Sequence, residues 1–416
     1  MKKIVKLSLA VAMVSGIGAV NAQAADDGIN ILSDVNFKGQ IRPRYQYTDH
    51  DNGIDGGHSF TTRTNLSVNA KLLGVDGLGT TIELNSVNDY STLDANNVDL
   101  AGEAAVAKVS QANVTYTRDG ITGVIGRMTT NLDNQRFVGS VGWKQNFQTL
   151  DLAGVIHRGD KLEYTVAYVY GVNAIGDAGN GTASTYYTGG TTSGETRSAV
   201  ANVSYEIIPE AKVTGYAYLL GSHSDTYGLS LTGKADLGAK VSYRAEYAIL
   251  GDASLETKDL GKPNQDASYM NLDISANISG ILVGAEYELQ SGTDGTDGKT
   301  TFVTPLATKH AFNGWADKFL VTPAAGLEDI NLMVGYKSKD IGTVKAVYHM
   351  FSSDVGSIDY GSELDLLYTK KIASNVTGMV KAAFYTADSS TEGAALGGTT
   401  VNIDTTKIWL MADYRF

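Results

Sequence analysis

In the first two stretches of the chain where polar and apolar residues alternate, the positively charged residues occupy the polar set of alternate positions. These residues are Lys38, Arg42 and Arg44 in the first stretch and Arg63 and Lys71 in the second. Because alternate residues of a β-strand point to opposite faces, these side chains would project into one common space. A row of fixed positive charges in a narrow aqueous space attracts anions and biases the passage of ions. The pattern therefore indicates electrostatic guidance of solutes.

Further charged residues fall on the same face. If the sheet closes, the last strand lies beside the first and adds its basic residues to theirs. Acidic residues collect at a distance from the basic ones, so two opposed walls of unlike charge would set up a transverse electric field. The alternative is that these charges only solvate the interior and pair across strands. The further candidates are Glu83 and Arg127, the basic group Lys240 and Arg244, the last-strand residues Lys407 and Arg415, and the acids Asp273, Glu286, Glu288, Glu363 and Asp365.

The elements that would position these side chains are amphipathic strands. If Tyr45, Leu66, Tyr243 and Phe416 face lipid, then their polar neighbours face water inside a closed barrel. A soluble sandwich would also alternate, so periodicity alone does not separate the two folds. The two ends of the chain favour the membrane fold, as described below.

About eighteen such segments can be counted. Short connections follow the even strands, and long ones, including 88–105, 130–146, 172–196, 251–266 and 291–328, mostly follow the odd strands. This alternation is typical of outer-membrane barrels. The sequence therefore predicts an all-β fold, a transmembrane antiparallel β-barrel with short periplasmic turns and long extracellular loops. The predicted strand starts are 36, 59, 77, 106, 121, 147, 161, 197, 211, 226, 239, 267, 281, 329, 341, 359, 374 and 402.

Both ends of the chain favour export and membrane assembly. Three lysines precede a short apolar run that closes on Ala22-Gln23-Ala24, which predicts a signal peptide at 1–24 and a barrel domain at 25–416. The apolar run is too short to span a bilayer. The last strand ends on Tyr414 and Phe416, and a terminal aromatic residue is what the barrel-assembly machinery commonly reads. We therefore expect these two residues to form the assembly signal.

Composition and charge exclude several classes of function. The chain has a formal net charge of −12, with 45 acidic residues against 33 basic ones, which argues against nucleic acid as a partner. It has no Cys, and its six His are not at metal-ligand spacing. No Gly-rich phosphate loop or Ser–His pair stands out. We therefore predict no enzyme activity, no catalytic residue, no metal and no cofactor.

One long connection differs from the others in its composition. The segment from Thr129 to Asn146 is not a Gly/Ser tract, and four large apolar residues give it something to bury: Leu132, Phe137, Val138 and Trp143. The third outer loop of porins often folds into the barrel and narrows it. We therefore expect constriction residues in this loop, with the alternative that it packs on the outer rim. The candidates are Asp133, Gln135 and Arg136.

Several motifs resemble the alginate-export family of outer-membrane porins. They include Phe60-Thr61-Thr62-Arg63-Thr64, the third-loop segments Leu132 to Gly139 and Val141 to Gln145, and the segment His310 to Leu320. The resemblance implies an 18-stranded barrel. The family is named for an exporter of an anionic polysaccharide that passes through an arginine-lined pore, and many of its members resemble general porins. The residues that could serve such a pathway are Arg42, Arg44, Arg63, Arg127 and Arg136.

Together these observations predict an outer-membrane porin of a Gram-negative bacterium that passes small hydrophilic solutes and ions by diffusion. Its partners would be outer-membrane lipid, the assembly machinery and those solutes. A dedicated exporter of an anionic polysaccharide such as alginate, and a surface adhesin or structural barrel, remain as alternatives. The sequence leaves open whether the barrel is a monomer or a homotrimer.

Overall fold

Eighteen strands form one closed antiparallel sheet in the part of the chain that the structure describes. The computed structural model describes residues 31–51, 56–91, 105–175, 195–221, 223–255, 266–295, 299–388 and 401–416. The predicted signal peptide at 1–24 lies outside these residues. So do large parts of the long connections after the third, seventh, eleventh and seventeenth strands. In the described ranges, no α-helix is long and apolar enough to cross a bilayer.

The strands follow the chain in order around the barrel. Each predicted strand start lies within four residues of the observed one, and five starts coincide: 106, 121, 211, 281 and 359. The strands are β1 (Leu32–His50), β2 (Gly57–Leu72), β3 (Leu78–Asp89), β4 (Val106–Arg118), β5 (Ile121–Met128), β6 (Thr149–Arg158), β7 (Leu162–Asn173), β8 (Glu195–Ile208), β9 (Ala211–Leu220), β10 (Ser224–Asp236), β11 (Lys240–Gly251), β12 (Asp266–Ile278), β13 (Ile281–Gln290), β14 (Leu327–Ser338), β15 (Gly342–Ser352), β16 (Asp359–Ala373), β17 (Val376–Ala387) and β18 (Thr405–Arg415).

The first and last strands close the ring. β1 pairs with both β2 and β18, with Gln40 opposite Arg415. Beyond the end of β18, Phe416 and Gly39 exchange two backbone hydrogen bonds of 3.0 and 2.8 Å. Because every strand then has two hydrogen-bonded neighbours, the sheet has no open edge. The predicted all-β antiparallel barrel of eighteen strands is confirmed.

The two faces of the wall differ as the alternation predicted. On β1, Arg42 and Arg44 point inward and are only 5% and 1% exposed, whereas Ile41 between the polar positions is 39% exposed on the outside. On β2, Arg63 is buried inside and Phe60 is exposed outside. A strand period of two produces this separation directly. The outer wall is therefore mainly apolar and the inner wall mainly polar.

The connections divide the barrel into two unlike rims. Turns of two to five residues follow the even-numbered strands, and one of them is the two-residue turn of Ser279 and Gly280 between β12 and β13. Long connections follow six of the nine odd-numbered strands, and connections of three to six residues follow β1, β9 and β15, of which the one after β9 was predicted. Two long connections matter for the interior. We call residues 129–148, between β5 and β6, the third loop, and residues 291–326, between β13 and β14, the seventh loop.

The buried apolar residues lie inside the barrel, not between two layers. Near the long-loop rim, the inward positions of several strands are apolar, among them Val169, Tyr218 and Tyr269, and they form a cluster with Phe137 of the third loop. A second cluster joins Trp315 and other residues of the seventh loop to β15–β18. The wall is apolar at these places because the two loops pack against it there.

Candidate functional site

The third loop folds into the barrel and packs through the apolar residues that the sequence analysis identified. The Phe137 ring lies 5.2 Å from both Tyr216 and Tyr269, centroid to centroid, and 6.0 Å from Phe302 of the seventh loop. Leu132 and Val138 are buried in the same cluster. Burial of these side chains stabilises the inward position of the loop. The alternative of a loop on the outer rim does not describe this structure.

The basic wall holds the far half of the third loop by its backbone carbonyls. Arg42 donates to the carbonyl oxygens of Gly142, Trp143 and Lys144 at 3.0, 2.9 and 2.6 Å, and to Gln145 Oε1 at 2.9 Å. Arg44 also donates to Trp143 O, at 2.7 Å. Guanidinium groups have five donors in a fixed fork, which suits several carbonyls at once. Much of the hydrogen-bonding capacity of this row is therefore used to hold the loop.

Two of the predicted constriction residues reach the opposite wall. Arg136 Nη2 lies 2.6 Å from Glu288 Oε1, and both side chains are buried. Asp133 Oδ2 accepts from Arg244 Nη2 at 2.6 Å, and the same guanidinium also contacts Glu246. The third loop thus crosses the lumen from the basic wall to the wall of β11–β13.

The seventh loop also folds inward, and it binds the acidic wall by its backbone N–H groups. Ala316 N–H donates to Glu363 Oε1 at 2.7 Å, and Trp315 N–H donates to Asp365 Oδ2 at 3.1 Å. Gly314 has a positive φ of 81°, and a Cβ there would lie 2.6 Å from the Glu363 carboxylate. Glycine therefore permits both the turn and the close approach. The basic wall thus binds carbonyl oxygens of the third loop, and the acidic wall binds N–H groups of the seventh loop.

The loops contact each other across the lumen. Val138 and Leu306 form a parallel bridge, and Gly139 N–H donates to Leu306 O at 2.8 Å. Gln135 contributes its backbone carbonyl, which accepts from Thr308 N–H at 3.0 Å. The third loop thus forms one structural unit with the seventh, which we call the plug.

A lysine of the wall lies where the two loops meet β18. Lys381 Nζ lies 4.3 Å from the ring of Trp143, 3.7 Å from that of Trp315 and 5.8 Å from that of Trp409. Indole faces attract cations, so the three rings favour an ammonium group at this position. Lys381 Nζ is also 2.8 Å from His310 Nε2.

His310 and Asp317 connect this lysine to the rest of the plug. Burial lowers the pKa of His310 to about 3, so the imidazole is neutral at pH 7. A neutral ring that donates from Nδ1 to Asp317 Oδ1, at 2.6 Å, leaves Nε2 free to accept from Lys381. The pKa of Asp317 is held well below its usual range by His310, Lys144 and Lys407. The carboxylate is therefore ionised and joins both loops, because Lys144 belongs to the third loop.

Polar cavities lie between the plug and the short-turn rim. One cavity of about 600 Å³ is lined by Lys38, Arg63, Asn65, Glu83 and Arg415, among other residues. A second, of about 190 Å³, lies beneath Asp133 and is lined by residues of β6–β9. Charged and amide side chains at these walls favour water and hydrophilic solutes.

Most of the remaining predicted residues lie away from the plug contacts, but Lys407 reaches the plug, where its Nζ lies 3.9 Å from Asp317 Oδ2. Arg127 forms a two-pronged pair with Asp151, at 2.7 and 3.0 Å. Lys240 is exposed at the start of β11, near the short-turn rim. Arg415 pairs with Asp413 and is largely exposed, whereas Lys407 is buried near Asp317. The predicted residues therefore form several groups instead of one ring.

The inward position of the seventh loop is not among the predictions from sequence, in which the segment from His310 to Leu320 carries only a family resemblance. Yet it carries Phe312, Trp315 and Phe319, the same kind of apolar residues that predicted burial of the third loop. That signal was present in the sequence.

In the described ranges, no group of three or more His, Cys, Asp or Glu could hold a metal ion.

Comparison of the sequence with protein-family models and with curated proteins finds no match. The resemblance to the alginate-export family is therefore not supported. Solved structures do match, at low identity. Acinetobacter baumannii OccAB4 matches with a TM-score of 0.68 and 14% identity, over 94% of this chain and 100% of that chain. Pseudomonas aeruginosa OpdQ gives 0.67 and 14%, over 93% and 98%. The outer membrane protein opdK from Pseudomonas aeruginosa gives 0.66 and 12%, over 92% and 98%. These similarities establish a shared fold.

Proposed function

We propose that this chain is an outer-membrane porin through which small hydrophilic solutes and ions diffuse passively. The observation that carries the proposal is the division of the wall, with charged and amide side chains inside and apolar side chains outside. Such a wall suits lipid on one side and water on the other. The shared fold with an outer membrane protein supports the same location.

Aromatic residues on the outer wall support a position in a bilayer. Near the short-turn rim the exposed set includes Phe37, Tyr116, Tyr205, Tyr336 and Tyr368. Tyrosine and tryptophan favour the boundary between headgroups and hydrocarbon, and barrels carry such belts at both interfaces. A second exposed set lies near the long-loop rim, and aliphatic residues occupy the space between. The second set includes Phe60, Tyr90, Tyr168, Tyr227, Tyr247, Tyr348 and Phe384.

The plug would set the size limit for solutes. The third loop, joined to the seventh, crosses the lumen and leaves polar cavities on the short-turn side. Solutes would pass beside the plug, or through openings made when one loop moves. We infer that Asp133, Gln135 and Arg136 narrow the path together with the seventh loop, while Arg42, Arg44 and Arg63 hold the third loop in place.

Export of an anionic polysaccharide is less well supported. A polymer needs a continuous wide path, and the two loops packed inside the lumen obstruct such a path. A surface adhesin is also less well supported, because the contacts of the seventh loop described above are internal. The predicted leader, recognition of Tyr414 and Phe416 by the assembly machinery, and the choice between monomer and trimer belong to this proposal as expectations.

The proposal is tested by swelling of liposomes that contain the purified barrel. Small sugars should enter quickly and larger oligosaccharides slowly, because diffusion past the plug depends on solute size. Empty liposomes and heat-unfolded protein serve as controls. Absence of swelling with every sugar, together with absence of conductance in planar bilayers, would contradict a porin and favour an adhesin. Near-ideal anion selectivity in bilayers would instead favour the exporter.

A further inference from the structure

A depression interrupts the outer wall where the chain's first and last strands meet. It has a volume of about 560 Å³ and is lined mainly by apolar side chains of β1, β2 and β16–β18. Tyr45 and Phe60 lie toward the long-loop rim, and Lys370 and Ile372 lie toward the short-turn rim. Its size lies within the roughly 300–1,000 Å³ of sites that hold small molecules.

The depression arises from short side chains on adjacent strands. Gly378 of β17 is paired with Lys370 of β16 on one side and with Ala412 of β18 on the other. Pro43 of β1 lies in the same lining. Gly378 and Ala412 share the outward parity of exposed Val380 and Leu410. The Ile372 side chain covers Gly378, because a Cβ there would lie 2.7 Å from Ile372 Cδ1, so the low part of the wall is formed by Ala412 and Pro43.

A cation marks one end of the depression. Lys370 shares the outward parity of Tyr368 and is exposed near the end of β16. Among the residues that the structure describes, no carboxylate pairs with it. A lysine on a lipid-facing wall extends its ammonium group toward the headgroups. Lys370 therefore presents a positive charge at headgroup level, directly beside the apolar depression.

We propose that this depression is a binding site for one anionic phospholipid of the periplasmic leaflet. One acyl chain lies over Ala412 and Pro43, against Leu410, and the phosphate contacts Lys370. The inference depends on the membrane location proposed above, but not on the passage of solutes. Apolar shape and a single charge at one end match the amphipathic form of such a lipid.

A second copy of the chain fits this surface less well. In a two-fold symmetric contact the same patch would face itself, which would bring the two Lys370 side chains toward each other. A stable protein interface also needs on the order of 1,000 Å² or more of buried surface, whereas this depression is narrow.

Native mass spectrometry of the purified barrel in detergent tests the proposal, with phosphatidylglycerol and phosphatidylcholine as probes. The unaltered protein should retain one phosphatidylglycerol preferentially. Lys370→Ala should lower that preference about fivefold, since one lysine near a membrane surface contributes about that factor. Ala412→Leu should reduce retention of both lipids, because the longer side chain fills the depression.

Matched variants separate this site from general effects. Lys339→Ala removes an exposed lysine from the turn after β14, on the same rim, and Gly215→Leu adds a side chain to the outer face of β9, where only Leu229 lies within 4 Å. Both controls should behave like the unaltered protein, and heat-modifiable migration should show that all variants fold. The proposal would be overturned if the unaltered protein retained the two lipids equally and Lys370→Ala did not change their ratio. A dimer that Ala412→Leu abolishes would also overturn it. Liposome swelling by the same preparations tests the porin function separately.

Discussion

At the scale of single residues, Arg42 shows how a charged side chain inside the barrel determines the position of a loop. Its guanidinium group donates four hydrogen bonds to the third loop, three of them to backbone carbonyls. A buried carbonyl that loses its donor costs about 1–3 kcal/mol unless water replaces the donor. The position of the third loop therefore depends strongly on this one side chain.

Arg42→Ala should loosen the third loop. We expect its docking to weaken on the order of 2 kcal/mol, because water from the adjoining cavity can re-solvate only some of the carbonyls. Single-channel conductance should rise, and the reversal potential should shift toward cations because a positive charge is lost. Arg415→Ala is the control, since Arg415 borders the same cavity but is largely exposed and paired with Asp413. Unchanged conductance would show that Arg42 does not hold the loop.

The alternation of residues predicted which face each charged residue occupies, but not its partner. Arg42, Arg44 and Arg63 all point inward as expected, because a strand period of two fixes the side of the wall. Their contacts with Trp143 O and Lys144 O lie 81 to 102 positions away along the chain. No local pattern encodes a contact between elements so far apart.

At the scale of elements, the plug depends on close approach between its two loops. A Cβ at Gly139 would lie 2.7 Å from Thr308 Cβ and 2.8 Å from Gln135 Cβ, nearer than carbon atoms can pack. Glycine at this position therefore allows the third loop to reach the seventh. The composition of each loop predicts burial, but this spacing follows only from the folded arrangement of both.

Gly139→Val should force the two loops apart. Overpacking of this kind typically costs about 1–3 kcal/mol. The temperature at which the barrel loses its compact electrophoretic form should fall, and the channel should switch more often between conductance levels. Gly142→Val provides the control within the same loop, because the nearest atom to a Cβ there is Ser140 Oγ at 4.0 Å. Equal behaviour of the two variants would contradict the proposed contact.

At the scale of the whole molecule, closure of the barrel rests on the seam between β1 and β18. Strand number, antiparallel order and the alternation of short and long connections followed from the sequence, because each depends on local periodicity and turn residues. The pairing of Gly39 with Phe416 joins residues near the two ends of the described chain. A Cβ at Gly39 would lie 2.3 Å from the Phe416 ring, so the ring covers the glycine backbone.

Deletion of Phe416 should impair assembly. The seam would lose two backbone hydrogen bonds and the ring that covers Gly39. We expect a smaller fraction of heat-modifiable barrel in the outer membrane, measured by electrophoresis of unheated samples. Phe416→Tyr keeps the aromatic ring and should assemble nearly as well as the unaltered chain. A normal yield of barrel after the deletion would exclude a role for this residue in assembly.

The meeting of the two loops around Lys381 has an optical consequence. The chain contains three tryptophans, and all of them surround that single ammonium group. Ultraviolet emission excited at the indole band therefore originates from Trp143 and Trp315 of the plug and from Trp409 of the adjoining strand β18. Displacement of either loop should quench this emission or shift it to longer wavelength. Because no dye has to be attached, gating could be followed in suspensions of vesicles, where no current can be recorded.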